Sequence, residues 1–407
     1  MKILITTDLF CVETNGVVTS VKNLWGELVK LGHDVRILTL SETSRSHREG
    51  NVTYIRSHPI RVYPGVRMSL SHRNAYIKEI VAWNPDVIHS QCEFFSLGFA
   101  KYISKKTGAP IVHTYHTLYE QYVPYIIPGK RLGRWIVRVL SRTLLRRVHT
   151  VIAPTQKVKR ALCSYGVNKP IHVIPSGISL EQHKVRLAPS ERMEKRRSLG
   201  LADDATVLLN LGRLGTEKNL EELLRLYADA IRKTEKLAFL IVGDGPDKGA
   251  LEALAKKLGV SASVIFTGKV APCEVQNYYQ LGDLFVSAST SETQGLTYVE
   301  AAANGLPLLC RRDPCLADVI REGENGYTYE SDTEFFEHLQ RIMTDPLWRV
   351  RAGRCSETVA AKFDKSQFGK TVSDLYARLR KKVEIDRCLQ KNTAQPSVQS
   401  RRGVRCF

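Results

Sequence analysis

Residues 285–307 read FVSASTSETQGLTYVEAAANGLP. An apolar run from Leu284 to Val286 ends in a Ser/Thr-rich loop holding one glycine, and a helical pattern follows from Leu296 to Asn304 until Gly305 and Pro307 stop it. Strand, loop and helix in that order form the half-unit of a parallel sheet, whose ligands lie at the carboxyl ends of the strands. The N–H groups of Gln294, Gly295, Leu296 and Thr297 are the unpaired donors of the predicted helix start, a place that attracts an anion such as a diphosphate. Two glutamates bracket the loop, Glu292 and Glu300, with seven residues between them. Alone, the pair also fits a capped surface helix with two solvated acids.

The same alternation extends outward in both directions. Apolar runs at residues 2–7, 35–40, 52–56, 86–90, 111–115 and 148–153 read as strands, with helical patterns between most of them. A second series opens with a strand at 206–211 and continues through strands at 237–242 and 264–267, with helices at 219–232, 248–258 and 273–281. Strands alternating with helices predict an α/β chain with parallel sheets. At 407 residues there is enough chain for two cores. The expected architecture is therefore two tandem doubly wound, Rossmann-like domains facing a cleft, residues 1–175 and 176–364.

Lys and Arg outnumber Asp and Glu by 60 to 41, a formal charge of +19, which favours a polyanionic partner. No helix-turn-helix, zinc or RNA-sheet signature accompanies that charge, so the expected partner is not nucleic acid. Nine scattered cysteines without a Cys-x-x-Cys pair read as reduced thiols, and the expected location is cytoplasmic. MKILITTD is not a signal-peptide core, and no window approaches the roughly 18 apolar residues of a membrane span. Any membrane contact is expected to be peripheral.

Three further motifs carry chemistry. In GRLGTEK, Arg213 and Lys218 straddle a tight turn before a helix, so both cations can reach one phosphate; two ordinary surface bases are the plainer reading. In IVHTYH, His116 stands past a strand end, whereas His113 alternates with Ile111 and Tyr115 as inward-facing core. Gly16 stands where a helix start passes close to a ligand or merely turns. Gly243-x-Gly245-x3-Gly249 is a loose dinucleotide fingerprint, but Pro246 and Asp247 fill the turn and no acid ends the next strand to hold a ribose.

Taken together, these residues resemble the retaining glycosyltransferases of family 4, which have the GT-B fold. The version SETQGLT, Ser291 to Thr297, is similar to that of the bacterial diacylglycerol glycosyltransferases. The resemblance covers roughly residues 1–375. It implies transfer of a hexose, expected to be glucose with galactose left open, from a UDP-sugar to diacylglycerol or a related glycolipid; a polysaccharide precursor is the alternative acceptor. It gives Arg213 and Lys218 the diphosphate, Glu300 the ribose, and Glu292 and His116 the hexose. Gly16 and the starts of the two helices approach the donor, and Lys269 and Val270 of FTGKV line the nucleobase through their backbone. The UDP-sugar is a co-substrate and no tightly bound cofactor is implied; magnesium has no Asp-x-Asp to hold it. In such folds the last helix, here 365–383, crosses back to the first domain, leaving 384–407 as a basic, disordered tail that carries Arg401, Arg402 and Arg405.

GKRLGRWIVRVLSRTLLRRVH has seven basic residues and no acid between Gly129 and Arg147. Arg134, Arg138, Arg142 and Arg146 recur every four residues, a helical stripe joined by Arg131 and interrupted by Trp135 and Leu145. Leu132, Ile136, Val139, Leu140 and Leu144 cover most of the rest. Like charges at this spacing repel by a few tenths of a kcal/mol per pair, so the stripe predicts an anionic partner: the inner face of the cell membrane, to which the enzyme would bind peripherally. A basic loop upstream, with Arg56, Arg61, Tyr63, Arg67, Met68 and Arg73, is either a plain surface loop or part of the acceptor side.

Overall fold

The computed structural model describes residues 1–10, 15–60, 67–72, 74–121, 130–234 and 236–393. The first domain holds β1 (Lys2–Thr6), β2 (Asp34–Leu40), β3 (His47–Glu49) and β4 (Val52–Ile55), then a two-stranded ribbon of β5 (His58–Pro59) and β6 (Arg67–Met68). It continues with β7 (Val87–Ser90), β8 (Ile111–Thr114), β9 (Thr150–Ala153) and β10 (Ile171–Val173). The sheet order is β10-β9-β8-β7-β1-β2-β4-β3, parallel throughout except where β3 meets β4. Helices α1 (Gly16–Lys30), α2 (Ala75–Trp83), α3 (Phe95–Thr107), α4 (Lys130–Leu145) and α5 (Gln156–Ser164) complete this layer structure. Because alternate strand residues face opposite sides, Leu4 packs in one apolar layer with Ile88 and Val151, and Ile3 and Ile5 pack in the other with Val87 and Val112.

Short helices α6 (Leu180–Lys184) and α7 (Pro189–Ser198) lead into the second domain. Its strands are β11 (Thr206–Leu211), β12 (Leu237–Val242), β13 (Val264–Phe266), β14 (Leu284–Ser287), β15 (Leu308–Arg311) and β16 (Gly326–Tyr329). All neighbours are parallel in the order β13-β12-β11-β14-β15-β16. The order reverses between β11 and β14, so the crevice beyond their carboxyl ends is the place for a ligand. Every residue of β12, LAFLIV, is buried, as expected of a strand covered on both faces. The helices are α8 (Leu220–Ile231), α9 (Lys248–Lys257), α10 (Val275–Tyr279), α11 (Leu296–Ala303), α12 (Asp332–Thr344) and α13 (Pro346–Ala360).

The last helix, α14 (Lys365–Thr393), returns to the first domain. There Phe368, Val372, Leu375 and Tyr376 join the layer of Ile3, Ile5 and Val21, each burial contributing about 1.5–3 kcal/mol. The helix does not end at residue 383, where a disordered tail was expected to begin. VEIDRCLQKN contains no glycine or proline to stop it, Arg380 pairs with Glu384 at 2.9 Å, and Arg387 donates to the Gly108 carbonyl. Arg61, Tyr63 and Arg73 of the basic loop, and Arg401, Arg402 and Arg405 of the tail, lie outside the described residues.

Candidate active site

The two loops that leave β11 and β14 meet over the crevice. After β11 the chain turns through Gly212, whose neighbour Gly243 packs so closely that a Cβ there would collide with the Gly212 carbonyl, while one on Gly245 would strike that of Leu214. The GDGP turn thus serves as a backbone-packing turn beside the loop that follows β11. Arg213 donates to Glu217 Oε1 at 2.6 Å, and Lys218 forms a short hydrogen-bonded ion pair with Glu292. The Ser-rich loop clasps the same turn, Ser289 and Ser291 donating to the Glu217 carbonyl at 3.2 and 2.9 Å. Burial alone would raise the Glu292 pKa, but the Lys218 charge and hydrogen bonds from Lys218 and Ser289 outweigh it and hold the carboxyl below its ordinary value.

Helix α11 starts at Gly295, which has φ 72°; a side chain there would also strike the Tyr298 ring, so the position requires glycine. Five residues on, Glu300 is half-buried and accepts from the Tyr279 hydroxyl at 2.8 Å. Burial raises its pKa. Gly16 opens α1 with Asn15 capping Val18 N–H at 2.9 Å, and a Cβ on Gly16 would lie 4.0 Å from Leu296 Cδ1. The amino ends of a helix from each domain therefore face one another across the cleft.

Further contacts bind the two domains around this point. His116 lies just beyond β8, and its carbonyl accepts the Thr293 hydroxyl at 2.9 Å. Thr155 donates to the Thr293 carbonyl at 2.7 Å. Lys157 donates to the Thr290 and Glu292 carbonyls, each at 2.9 Å, and pairs with Asp313 at 2.6 Å. Gln294, expected at the donor, spends its side chain on Ser176: Oε1 accepts from the Ser176 N–H and Nε2 donates to its carbonyl, both at 2.8 Å. Lys269 is exposed and Val270 packs against the second domain's core, on the loop that Gly268 ties to Gly243 at 3.1 Å.

Residues 14–182 match Glycosyltransferase Family 4 and residues 191–358 match Glycosyl transferases group 1. Over 99% of its length the chain is 33% identical to an alpha-monoglucosyldiacylglycerol synthase of Streptococcus pneumoniae, covering 90% of that protein. The chain belongs to glycosyltransferase family 4. A second alpha-monoglucosyldiacylglycerol synthase, from Acholeplasma laidlawii, is 30% identical over 93% of this chain and 97% of its own. Among solved structures, Anabaena HepE in complex with UDP superposes with a TM-score of 0.73 at 18% identity, over 93% of this chain and 100% of its own. Sucrose-phosphate synthase from Thermosynechococcus elongatus does so at 0.75 and 19%, over 93% and 98%. The fold is GT-B, and the glycosyltransferase has two facing Rossmann-like domains.

In this family 4 glycosyltransferase, α4 turns a different side to the core than its sequence suggests. Gly133, Val137, Ser141 and Leu145 are buried, and the Ser141 hydroxyl meets the Tyr115 hydroxyl at 2.9 Å. Leu145 thus belongs to the core and does not interrupt the basic stripe. Outward stand Leu132, Val139, Leu140 and Trp135, the last 61% exposed, beside Arg131, Arg138, Arg142 and Arg146. Arg134 has an acidic partner after all: Glu120, 2.7 Å away on the 3-10 turn Tyr119–Gln121. That turn follows His116 by three residues, so the exposed helix and the cleft share a short connection.

Lys157, Asp313 and Tyr279 were missed by the sequence reading. Their signal is purely spatial, since each partner lies in another element.

Proposed function

We propose that this enzyme transfers glucose from UDP-glucose to diacylglycerol, with retention of configuration, while docked on an anionic membrane surface. The observation that carries the lipid acceptor is α4, whose solvent side joins an apolar arc of Leu132, Trp135 and Val139 to a basic arc of Arg131, Arg138, Arg142 and Arg146. Such a face lies in a bilayer interface, its apolar side chains among the acyl chains and its bases among anionic head groups. The full-length likeness to two alpha-monoglucosyldiacylglycerol synthases supports the same acceptor. The UDP in the HepE complex supports the donor.

In this reading the departing diphosphate draws Arg213 and Lys218 away from Glu217 and Glu292 and gains the N–H groups of Gly295, Leu296 and Thr297. Preformed donors of this kind stabilise the negative charge that develops on the leaving group. Glu292, released from Lys218, takes hydroxyls of the hexose, and His116 contacts the same sugar from the first domain. Glu300, steadied by Tyr279, takes the ribose, and the backbone at Lys269 and Val270 lines the base. The acceptor hydroxyl attacks from the face the diphosphate leaves, and the phosphate oxygen takes its proton.

The test is incubation of the purified protein with vesicles of diacylglycerol and phosphatidylglycerol, using labelled UDP-glucose and UDP-galactose in parallel. An α-glucosyl lipid, identified by the anomeric NMR coupling, is expected. A β-linked product or no lipid product would overturn the proposal.

A further inference from the structure

Behind His116 runs a chain of hydrogen bonds that donor and acceptor binding do not use. His116 Nε2 meets Gln91 Oε1 at 2.8 Å, and Gln91 Nε2 meets His89 Nδ1 at 3.2 Å. His89 Nδ1 also meets the Tyr376 hydroxyl at 2.6 Å, and His89 Nε2 meets Thr114 Oγ1 at 2.7 Å. His89 and Tyr376 are 0% exposed and Gln91 2%. The chain thus passes from the crossing helix α14, through the ends of β7 and β8, to the residue at the cleft.

Its proton directions are constrained. An amide nitrogen only donates and an amide oxygen only accepts. Gln91 Nε2 therefore donates to His89 Nδ1, which leaves the His89 proton on Nε2, donating to Thr114. Gln91 Oε1 in turn requires a proton on His116 Nε2, so Nδ1 is the acceptor nitrogen of His116. Burial keeps the ring neutral at physiological pH, pushing its pKa down to about 4 against the opposing pull of Glu93 and with the help of His113. His113 itself lies 3.6 Å from Glu93.

We infer that Gln91 and Tyr376 are positioning residues for His116: Gln91 directly, and Tyr376 through His89 and Gln91, hold its imidazole as the Nε2–H tautomer and tie that setting to the docking of α14 on the first domain. The inference rests on His116 acting on the hexose, but its principal readout does not. In full-length protein labelled with ¹⁵N-histidine, with His116 assigned by loss of its signals in His116→Asn, long-range proton–nitrogen NMR reads the tautomer directly.

The expected result is Nε2–H in the wild type and a mixture of tautomers in Gln91→Leu, with a smaller shift in Tyr376→Phe. Gln91→Glu places a carboxylate at His116 and should raise its pKa above 6.5, adding to the kcat profile an ionisation near neutral pH that the wild type lacks. Gln91→Leu should lower kcat by about tenfold to a hundredfold with little change in the KM for UDP-glucose. An Nδ1–H tautomer in the wild type overturns the inference. So does a tautomer that neither Gln91→Leu nor Tyr376→Phe changes, or a His116 pKa that Gln91→Glu leaves in place. Full activity of His116→Ala would instead defeat the functional reading of His116 while the NMR still decides the hydrogen-bond chain.

Discussion

Lys157 Nζ and Asp313 Oδ2 lie 2.6 Å apart, although one residue belongs to the first domain and the other to the second. Both are largely shielded, with side chains 12% and 4% exposed. Asp313 also accepts from Cys315 N–H at 2.8 Å, and Lys157 holds the Glu292 loop by its carbonyls. The pair therefore ties the Ser-rich loop of the second domain to the first domain.

Replacing Lys157 with Met should open the cleft, because it leaves a buried carboxylate without its counter-charge, a loss of about 3–5 kcal/mol. Small-angle scattering should show a larger radius of gyration, and UDP should bind more weakly. An unchanged radius and affinity would make the pair incidental to closure.

Lys218→Ala should reduce turnover by at least about a hundredfold, because charge stabilisation of the leaving diphosphate is lost. It should also let burial dominate Glu292 and raise its pKa, since Lys218 is the main group opposing that rise. The thermal midpoint at neutral pH should fall modestly, because Glu292 loses its main counter-charge but keeps the Ser289 hydroxyl. Near-normal turnover, with or without a chelator, would mean that another group neutralises the diphosphate.

Glu300→Gln should weaken UDP binding by about 1–3 kcal/mol, as a charge-assisted hydrogen bond to the ribose becomes neutral. Tyr279→Phe should act in the same direction and more weakly, because it removes the hydroxyl that orients the carboxylate. Calorimetry decides both, and unchanged UDP affinity in Glu300→Gln would remove that residue from the donor site.

The strand and helix alternation of both domains was legible because parallel strands are continuous apolar runs and their helices carry a different period. β11 and β12 fall at residues 206–211 and 237–242 as read from the sequence. Glu292, Lys218, Gly16 and His116 were legible as candidates, and they do converge. The burial of α4 was not, because Gly133 and Ser141 lie on its core side without being hydrophobic, and Leu132 and Val139 are apolar yet face outward. Nor could the use of Gln294 for domain contact be foreseen, since its partner Ser176 is 118 residues away. Nor is the end of the crossing helix legible, because the polar, basic residues after 383 fit a disordered tail by composition, yet they continue α14 to Thr393.

Stability should fall as the pH drops from about 6.5 to about 4. Burial lowers the pKa of His89 far below its ordinary value and those of His116 and His183 to about 4. In that window the unfolded chain binds protons that the native state refuses, so acid favours unfolding. Asp8, raised to about 6 by burial, and Glu300, raised by burial as well, act oppositely, because the native state takes up their protons first, but the buried histidines outnumber them. His183→Gln should flatten the slope of thermal midpoint against pH. A midpoint constant from pH 6.5 to 4.5 would contradict this account of the buried histidines.

Lipid glycosylation by a surface-docked enzyme is tested most directly by measuring vesicle binding and glucosyl transfer together in one variant. Arg131, Arg138 and Arg146 are replaced by Glu, and Arg134 is kept because it pairs with Glu120. At about 1 kcal/mol per base near an anionic surface, this reversal should abolish sedimentation with phosphatidylglycerol vesicles and transfer to long-chain diacylglycerol. Transfer to a water-soluble short-chain acceptor should persist. Wild-type binding should weaken steeply with salt, because exposed charges are screened within about 8 Å at physiological ionic strength. A variant that still sediments and still glycosylates long-chain diacylglycerol would contradict the account.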